Sequence, residues 1–559
     1  MRNPRWRLPL ALAFTAALAA AQPPGSTDGK FVPDPASVER FGPAYRYPQH
    51  GWIVVHIEGA PYERGYQYGK LMADEIQRVA GSIAHDRGPK APQEAYDALR
   101  LLVGAVFLRQ YDAEYLEEMK GIADGATAAG ARIFGRKFDL LDVATINSEV
   151  ETDFLDSANE ATPTGLEGKD FKAPVNQTPA KKAPEHCSAF VAAGPATADG
   201  KIVMGHITMW NLYQATQFNV WLDVKPTNGK RVGMQTYPGG IMSGMDYYMS
   251  DGGVLLTETT IRQTPFDPAG RSLATRCRAA MQYGDSIDDV VKTLAERNNG
   301  LYTNEWLIAD LKTNEIAMFE LGTKKSRLWR SGKKEWLGGA EGFYWGCNNA
   351  KELAVRLETV ADLAERPSNM VFRPSDRDQK WLELYRQNKG KIDEKFGFLA
   401  YSTSPLAAAS SLDAKFTTAA LASEMKTWAL FGPPLGKTWN PTPELKGKHP
   451  DAQSLVSNDW TILDVKNPGA PSGTPAVDLG PAWARSRTGP PGSTDEPAWK
   501  GTLLPGADGE LWLAAAFAGY ERIVSLERSL AGEKKGGALS AAAQQRLDLA
   551  IFEVQSRYL

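Results

Sequence analysis

A polar, proline-rich run from about Asn159 to Glu185 stops abruptly at Cys187, and an apolar strand begins there. The run carries Pro163, Pro174, Pro179 and Pro184 among scattered Lys, Glu and Asn. With so few large apolar residues it cannot bury enough surface to offset the entropy of ordering itself. After Cys187 come an apolar run, the turn residues Asp199-Gly200-Lys201, and a second apolar run over 202–205 that stops at His206. Any fold must therefore place a thiol at the seam between a dispensable segment and a core strand. One reading is a small hydrophobe simply buried, as free cysteines usually are. The other is a thiol that becomes a new N-terminus when the chain is cut before it. In that case the thiol attacks a carbonyl and its own α-amine, with a pKa near ~8, takes the proton. The same thiol can first attack the peptide carbonyl of His186 and so cut the chain.

The rest of the 559 residues limits what such a thiol could serve. Basic and acidic residues number 63 and 66, for a formal net charge of -3, so there is no electrostatic case for nucleic acid. Arg2, Arg5 and Arg7 precede a short apolar run over 8–21 that ends in Ala19-Ala20-Ala21. This pattern is expected of a secretory signal peptide over 1–21, and the run is shorter than the ~20 residues of a spanning helix. The protein is expected to be exported, secreted or periplasmic, without a transmembrane anchor. Residues 22–158 are then an N-terminal helical part, 159–186 a linker or propeptide, and 187–559 the catalytic part. Three cysteines are an odd number for an exported chain. Pairing Cys277 with Cys347 would leave Cys187 free.

Hydrophobic spacing supplies the elements. Residues 51–57 read as a strand, 61–84 and 93–128 as helices, and 187–261 as strands in quick succession around the Asn228-Gly229 turn. A helix over 272–297 and a hairpin around Lys312-Thr313-Asn314 follow, then helical stretches over 416–430, 511–530 and 540–556. Hairpins, a helix and another hairpin point to an α+β layered domain. No GxSxG, HExxH or CxxC pattern occurs, so no cofactor and no metal are expected. His206 should lie beside Cys187 across a hairpin, as a site residue or a satisfied structural one. Thr208 and Trp210 could line a pocket or merely pack. Glu258 and Thr259 end an apolar strand. Asn304 closes a turn-like stretch, and its amide suits an oxyanion donor, a role whose loss typically costs ~3 kcal/mol.

Taken in order, Cys187-Ser188-Ala189, the run Gly205-His206-Ile207-Thr208-Met209-Trp210, Glu258-Thr259-Thr260-Ile261, and the stretch from Gly300 through Asn304 to Asp310 resemble the phospholipase B-like family of the N-terminal nucleophile (Ntn) hydrolases. Leu412-Asp413-Ala414-Lys415-Phe416-Thr417 is a later, weaker piece. Glu63-Arg64-Gly65-Tyr66-Gln67-Tyr68-Gly69 and Gly121-Ile122-Ala123-Asp124-Gly125 look like the related acyl-CoA:penicillanic acid acyltransferase group. The resemblance implies a four-layer αββα sandwich with additional helices, and self-cleavage between His186 and Cys187. It makes Cys187 the nucleophile, with His206 assisting and Asn304 in the oxyanion hole. Thr208, Trp210, Glu258 and Thr259 are then substrate-binding candidates, although Met209 interrupts the family's usual run before Trp210. The implied substrate is a lipid, or failing that an N-acyl small molecule. A silent secreted binding protein is the remaining alternative. The oligomeric state is open.

Overall fold

The computed structural model of the chain describes residues 31–161, 187–361 and 369–465, together with 523, 526, 530, 539–540, 543–548 and 551. The expected signal peptide, His186, nearly all of the linker and most of the last two expected helices lie outside the described residues.

Before the linker, β1 (Glu39–Phe41), β2 (Ala44–Gln49) and β3 (Trp52–Gly59) lead into α1 (Pro61–Leu71), α2 (Ala73–Arg87), α3 (Pro92–Val106) and α4 (Ala113–Ala128). A two-residue hairpin, β4 (Arg132–Ile133) and β5 (Arg136–Lys137), precedes α5 (Leu140–Asn147) and α6 (Glu149–Ala161). Helix α6 continues past residue 158 to Ala161. After the linker come β6 (Ser188–Ala192), β7 (Val203–Ile207), α7 (Leu212–Ala215), β8 (Val220–Pro226), β9 (Val232–Thr236), β10 (Tyr247–Ser250) and β11 (Val254–Thr260). Helices α8 (Leu273–Tyr283) and α9 (Ile287–Ala295) lead to β12 (Asn304–Asp310), β13 (Glu315–Leu321) and β14 (Ser326–Arg330). The remaining strands are β15 (Gly339–Ala340), β16 (Phe343–Gly346), β17 (Asp413–Thr418), β18 (Thr427–Phe431) and β19 (Thr461–Leu463).

Two large sheets result. One has ten strands in the order β1-β2-β3-β8-β9-β10-β11-β12-β13-β14, and the other has seven in the order β15-β16-β6-β7-β17-β18-β19. Strands β11, β12 and β13 of the first pack on β6, β7 and β16 of the second. Helices α1, α8 and α9 lie against the first sheet, and the helices Asp376–Asn388 and Glu394–Tyr401 against the second. The chain therefore folds as the expected α+β, four-layer αββα sandwich, the Ntn-hydrolase arrangement, with additional helices. Because both faces of each sheet are covered, the inner strands are buried on both sides, and the polar residues of β11 and β12 are buried along with the apolar ones. Every residue of β6, β7, β11 and β12 is buried.

The segment before the linker is built into this sandwich. β3 pairs in parallel with β8, from Ile53↔Val220 to Gly59↔Pro226. Helices α1 and α4 cross at their backbones: a Cβ on Gly69 would stand 2.0 Å from the Ile122 carbonyl oxygen, and one on Gly125 2.2 Å from that of Tyr66. Gly65 and Gly69 on α1 and Gly121 and Gly125 on α4 thus set a helix crossing. Between them Arg64 and Arg278 converge on the buried carboxylate of Glu118.

The expected helices over 61–84, 93–128 and 272–297 are each divided in two, as α1 and α2, α3 and α4, and α8 and α9, and two further expectations change. The stretch 416–430 is not one helix but β17, a single helical turn over Ala419–Ser423, and β18. Its Thr417-Thr418 and Thr427-Trp428 pairs favour a pleated, buried strand, and Met425 at φ 58 turns the chain. Cys277 and Cys347 are not paired: all three cysteines are free and buried, and the Cys347 thiol donates to Asp378 Oδ1 at 2.9 Å.

Candidate active site

Cys187 stands at the head of β6, where the described chain resumes after the linker. The β6–β7 register pairs Ala189 with His206, so the antiparallel pairing brings the imidazole to the thiol's end of the strand. The Sγ of Cys187, a ring nitrogen of His206 and a carboxylate oxygen of Asp246 all lie within 4.8 Å of one another. Asp246 sits just before β10 at φ 58, and Tyr302 Oη donates to its Oδ2 at 2.9 Å.

Glu258 and Asn304 approach from the other sheet. β11 and β12 pair Thr260 with Asn304 and Glu258 with Trp306. Glu258 and Asn304 therefore share one face, while the paired Thr259 and Glu305 share the opposite one. Both ring nitrogens of His206, both carboxylate oxygens of Glu258 and both amide atoms of Asn304 are buried without a hydrogen-bond partner. Among the described residues no other side chain has two polar atoms in that state. Native proteins leave few buried polar groups unmet, so such a group calls for a reason in each case.

Burial dominates the electrostatics of these groups. Burial, with the carboxylate of Asp246 adding to it, pushes the Cys187 thiol up to about 12, while a hydrogen bond from the Met209 backbone pulls the other way. Burial and then the charge of Lys415 hold His206 well below the ordinary imidazole value, so it is a neutral ring. Burial lifts Asp246 to about 6. Burial and the like charge of Asp246 raise Glu258 far above the carboxylate range. Cys187, His206, Glu258 and Asn304 are each at most 2% exposed.

The remaining candidates are placed as follows. Thr208 donates its backbone N–H to Asp413 Oδ1 at 3.0 Å, and its Oγ1 accepts from Lys415 Nζ at 3.0 Å. Trp210 packs near Phe154, ring centroids 6.3 Å apart, and lines a small cavity of about 20 Å³ with Val79, Ile83, Glu149 and Phe218. Thr259 turns away from this cluster and donates to Glu305 Oε1 at 2.6 Å. The structure thus groups Cys187 and His206, sets Glu258 and Asn304 on one face, and leaves Thr259 on the other.

Several members were missed by sequence reading. Lys415 is fully buried, ion-paired with Asp413 at 2.7 Å, and aligned with His206 in the β17–β7 register. A signal for it existed: Asp413 and Lys415 alternate with Ala414 and Phe416, charges at strand spacing in an apolar run. Asp246 had a similar signal, a lone acid inside the apolar run 241–249. Arg377 had none. Its Nη1 donates to the Cys187 carbonyl and its Nη2 to Asn348 Oδ1 at 2.9 Å.

Two sheets packed face to face between helical layers define the class of fold, an αββα sandwich of the Ntn-hydrolase type, with Cys187 at the head of one of its inner strands. Within that class the resemblance to the phospholipase B-like family is borne out, since the phospholipase B family model matches residues 104–329. An uncharacterised protein of Archaeoglobus fulgidus is 27% identical over 259 residues, 45% of this chain and 40% of that protein. The human phospholipase B-like 1 is 28% identical over 141 residues, 23% of this chain and 24% of that protein. The chain therefore matches less than half the length of these curated relatives. A conjugated bile acid hydrolase from Clostridium perfringens overlays at a TM-score of 0.28 and 11% identity, covering 50% of this chain and 97% of that one. Among the described residues no helix is long and apolar enough to cross a membrane.

Proposed function

We propose that the protein is an exported hydrolase that cuts itself before Cys187 and then uses Cys187 to deacylate a lipid ester or amide, in the manner its phospholipase B likeness suggests. The observation that carries this reading is the buried, partnerless His206 beside the buried Cys187 thiol, with the side chains of Glu258 and Asn304 in the same state on one face of the facing sheet. These groups were desolvated at a cost of about 1–3 kcal/mol each and regain it only when a reacting group or water enters.

In the first step the Cys187 thiol adds to the His186 carbonyl. The peptide C–N bond breaks, its nitrogen takes the thiol proton, and water hydrolyses the resulting thioester. Cys187 is left with a free α-amine, a base that the uncut chain lacks, and its thiol can now ionise beside it. In turnover the thiolate adds to the substrate acyl carbon, with Asn304 Nδ2 donating to the oxyanion. The leaving alcohol or amine takes the proton from the α-amine, and water then releases the acid. His206, neutral, orients the thiol or the attacking water. Glu258 supplies a protonated carboxyl to the same chamber. Trp210 meets the apolar part of the substrate, whereas Thr208 and Thr259 act through the groups they hold, Lys415 and Glu305.

N-terminal sequencing and intact mass of the purified protein test the first step. The expected result is a chain starting at Cys187 in the wild type and none in Cys187→Ala. An uncut wild type that remains uncut under mildly acidic conditions would sink the mechanism. Matched ester and amide substrates on the cut protein then decide the bond, with ester cleavage expected to be faster.

A further inference from the structure

Cys187, His206 and Asp246 reach one point from three separate places, the head of β6, the body of β7 and the turn before β10. Their ligand atoms lie within 4.8 Å of one another. A thiolate, an imidazole and a carboxylate form the donor set of an open, three-protein-ligand zinc site. Thiolate with imidazole selects zinc-like ions over magnesium or calcium. At Zn–S of about 2.3 Å and Zn–N or Zn–O of about 2.0 Å, tetrahedral edges are roughly 3.3–3.8 Å, so the three atoms need to close by about 1.5 Å at most.

Three independent features fit an ion here. His206 is completely buried and neither nitrogen makes a well-formed hydrogen bond, the Glu258 backbone lying near one of them, so the other is free to coordinate. Asp246 is already oriented, its carboxylate by Tyr302 Oη at 2.9 Å and its backbone oxygen by Thr257 Oγ1 at 2.6 Å, the outer-shell support that metal ligands need. The neighbouring cation is otherwise engaged: Lys415, aligned with His206 across β7 and β17, is held by Asp413 at 2.7 Å and by Thr208 Oγ1 at 3.0 Å.

We propose that Cys187, His206 and Asp246 bind one zinc-class divalent cation, and that the bound ion silences the nucleophile. Binding exchanges the Cys187 thiol proton, released to solvent, for a sulfur–metal bond, with no change of oxidation state. The sulfur lone pair needed for attack is then occupied, which blocks both self-cleavage and turnover. Binding rests on the geometry alone, and only the silencing rests on Cys187 being the nucleophile.

Cobalt(II) added to the full-length protein is the probe. The expected result is one equivalent bound with a near-ultraviolet thiolate-to-cobalt band. Cys187→Ala should abolish the band, His206→Ala and Asp246→Asn should weaken binding by ~10-fold or more, and Cys277→Ala should keep it. In the unmodified protein, which removes any concern over misfolded variants, Zn²⁺ should slow alkylation of Cys187 while leaving Cys277 and Cys347 unchanged, read by peptide mass. Zn²⁺ should also reduce turnover, with recovery on chelation. A band that survives in Cys187→Ala, no protection of Cys187, or turnover that rises with Zn²⁺ would each overturn the proposal. If the chain proves unable to cut itself, the cobalt band still reports the site, so the two ideas fail separately.

Discussion

Strands β11 and β12 carry two buried polar clusters on opposite faces, only one residue out of step. On one face Glu305 is wired completely: Thr259 Oγ1 at 2.6 Å, the Cys347 N–H at 2.7 Å, the Asn348 N–H at 3.0 Å and Lys351 Nζ at 2.8 Å all donate to it. On the other face the side chains of Glu258 and Asn304 make no well-formed hydrogen bond, and Glu258 only lies near Asp246 and Tyr302. Both faces are equally dry, so burial alone does not separate them. Satisfaction does. A saturated cluster fixes the loop after β16 to the sheet, whereas an unsaturated one keeps donors and acceptors ready for a group that arrives later. Two of the cysteines repeat the contrast. Cys347 donates a hydrogen bond to Asp378, while Cys187 has a backbone hydrogen bond and the near approach of His206 and Asp246.

The largest effect expected belongs to the open side. Cys187→Ala should leave the chain uncut and lower turnover by roughly 10⁴-fold or more, as loss of a nucleophile does elsewhere. Folding should survive, since the side chain packs as a small hydrophobe. If Cys187→Ala retains ester cleavage, the contrast between the faces has no catalytic meaning.

Neighbouring substitutions on β12 then separate the two faces directly. Asn304→Ala should cost about 10²–10³-fold in kcat while shifting the unfolding midpoint little, because its amide has no partner to lose. Glu305→Gln, one residue along, should do the reverse. Lys351 would be left as a buried, uncompensated charge, a loss of about 3–5 kcal/mol of stability. Activity per folded molecule should stay within a few-fold. Equal stability losses in both variants would erase the distinction.

Stability against pH sharpens the comparison. Burial raises Asp246 to about 6 on the open side and Glu320 to about 7 beside Glu305. Both exceed the ~3.9 and ~4.3 of unfolded Asp and Glu, so the native chain holds more protons between these values. Its stability is therefore greatest at the acid end of that window and falls as pH rises through each folded value. Thermal unfolding should occur at higher temperature at pH 5 than at pH 8. Asp246→Asn should flatten the curve below pH 6, and Glu320→Gln should flatten it up to pH 7.

How far the sequence foretold this contrast follows from what a pattern can encode. The sandwich was legible because inner strands such as β6 and β7 are predominantly apolar runs between turn residues. The β6–β7 hairpin was legible too, and with it the proximity of His206 to Cys187. Thr259 could not be separated from Glu258 by residue type, since only the β11–β12 register says which of two adjacent polar residues faces which cluster. Asn304 read as part of a turn because Arg297-Asn298-Asn299-Gly300 dominates its surroundings, yet it opens β12. Helical expectation for 416–430 failed for a different reason: its apolar residues fit both periods, and the β-branched pairs at either end decide for strand. Asp246, Lys415 and Arg377 meet Cys187 across long sequence separations that no local motif records.

The smallest effect expected concerns the one side chain that joins the two faces. Arg377 donates to the Cys187 carbonyl and to Asn348 Oδ1, and the Asn348 N–H in turn donates to Glu305. The saturated cluster thereby holds the backbone of the residue that carries the thiol. Arg377→Lys keeps the charge but loses the planar fork that spans both acceptors, so it acts on geometry alone. A displaced carbonyl tilts Cys187 away from the acyl carbon without touching the substrate's binding surface. The expected outcome is a ~3–10-fold fall in kcat at unchanged KM, since a near-attack geometry relaxes while binding does not. The same variant should slow self-cleavage, because the same thiol must reach the His186 carbonyl. An increase in KM with kcat intact would instead place Arg377 on the substrate's path, and the rigid face would then be a binding surface rather than a brace.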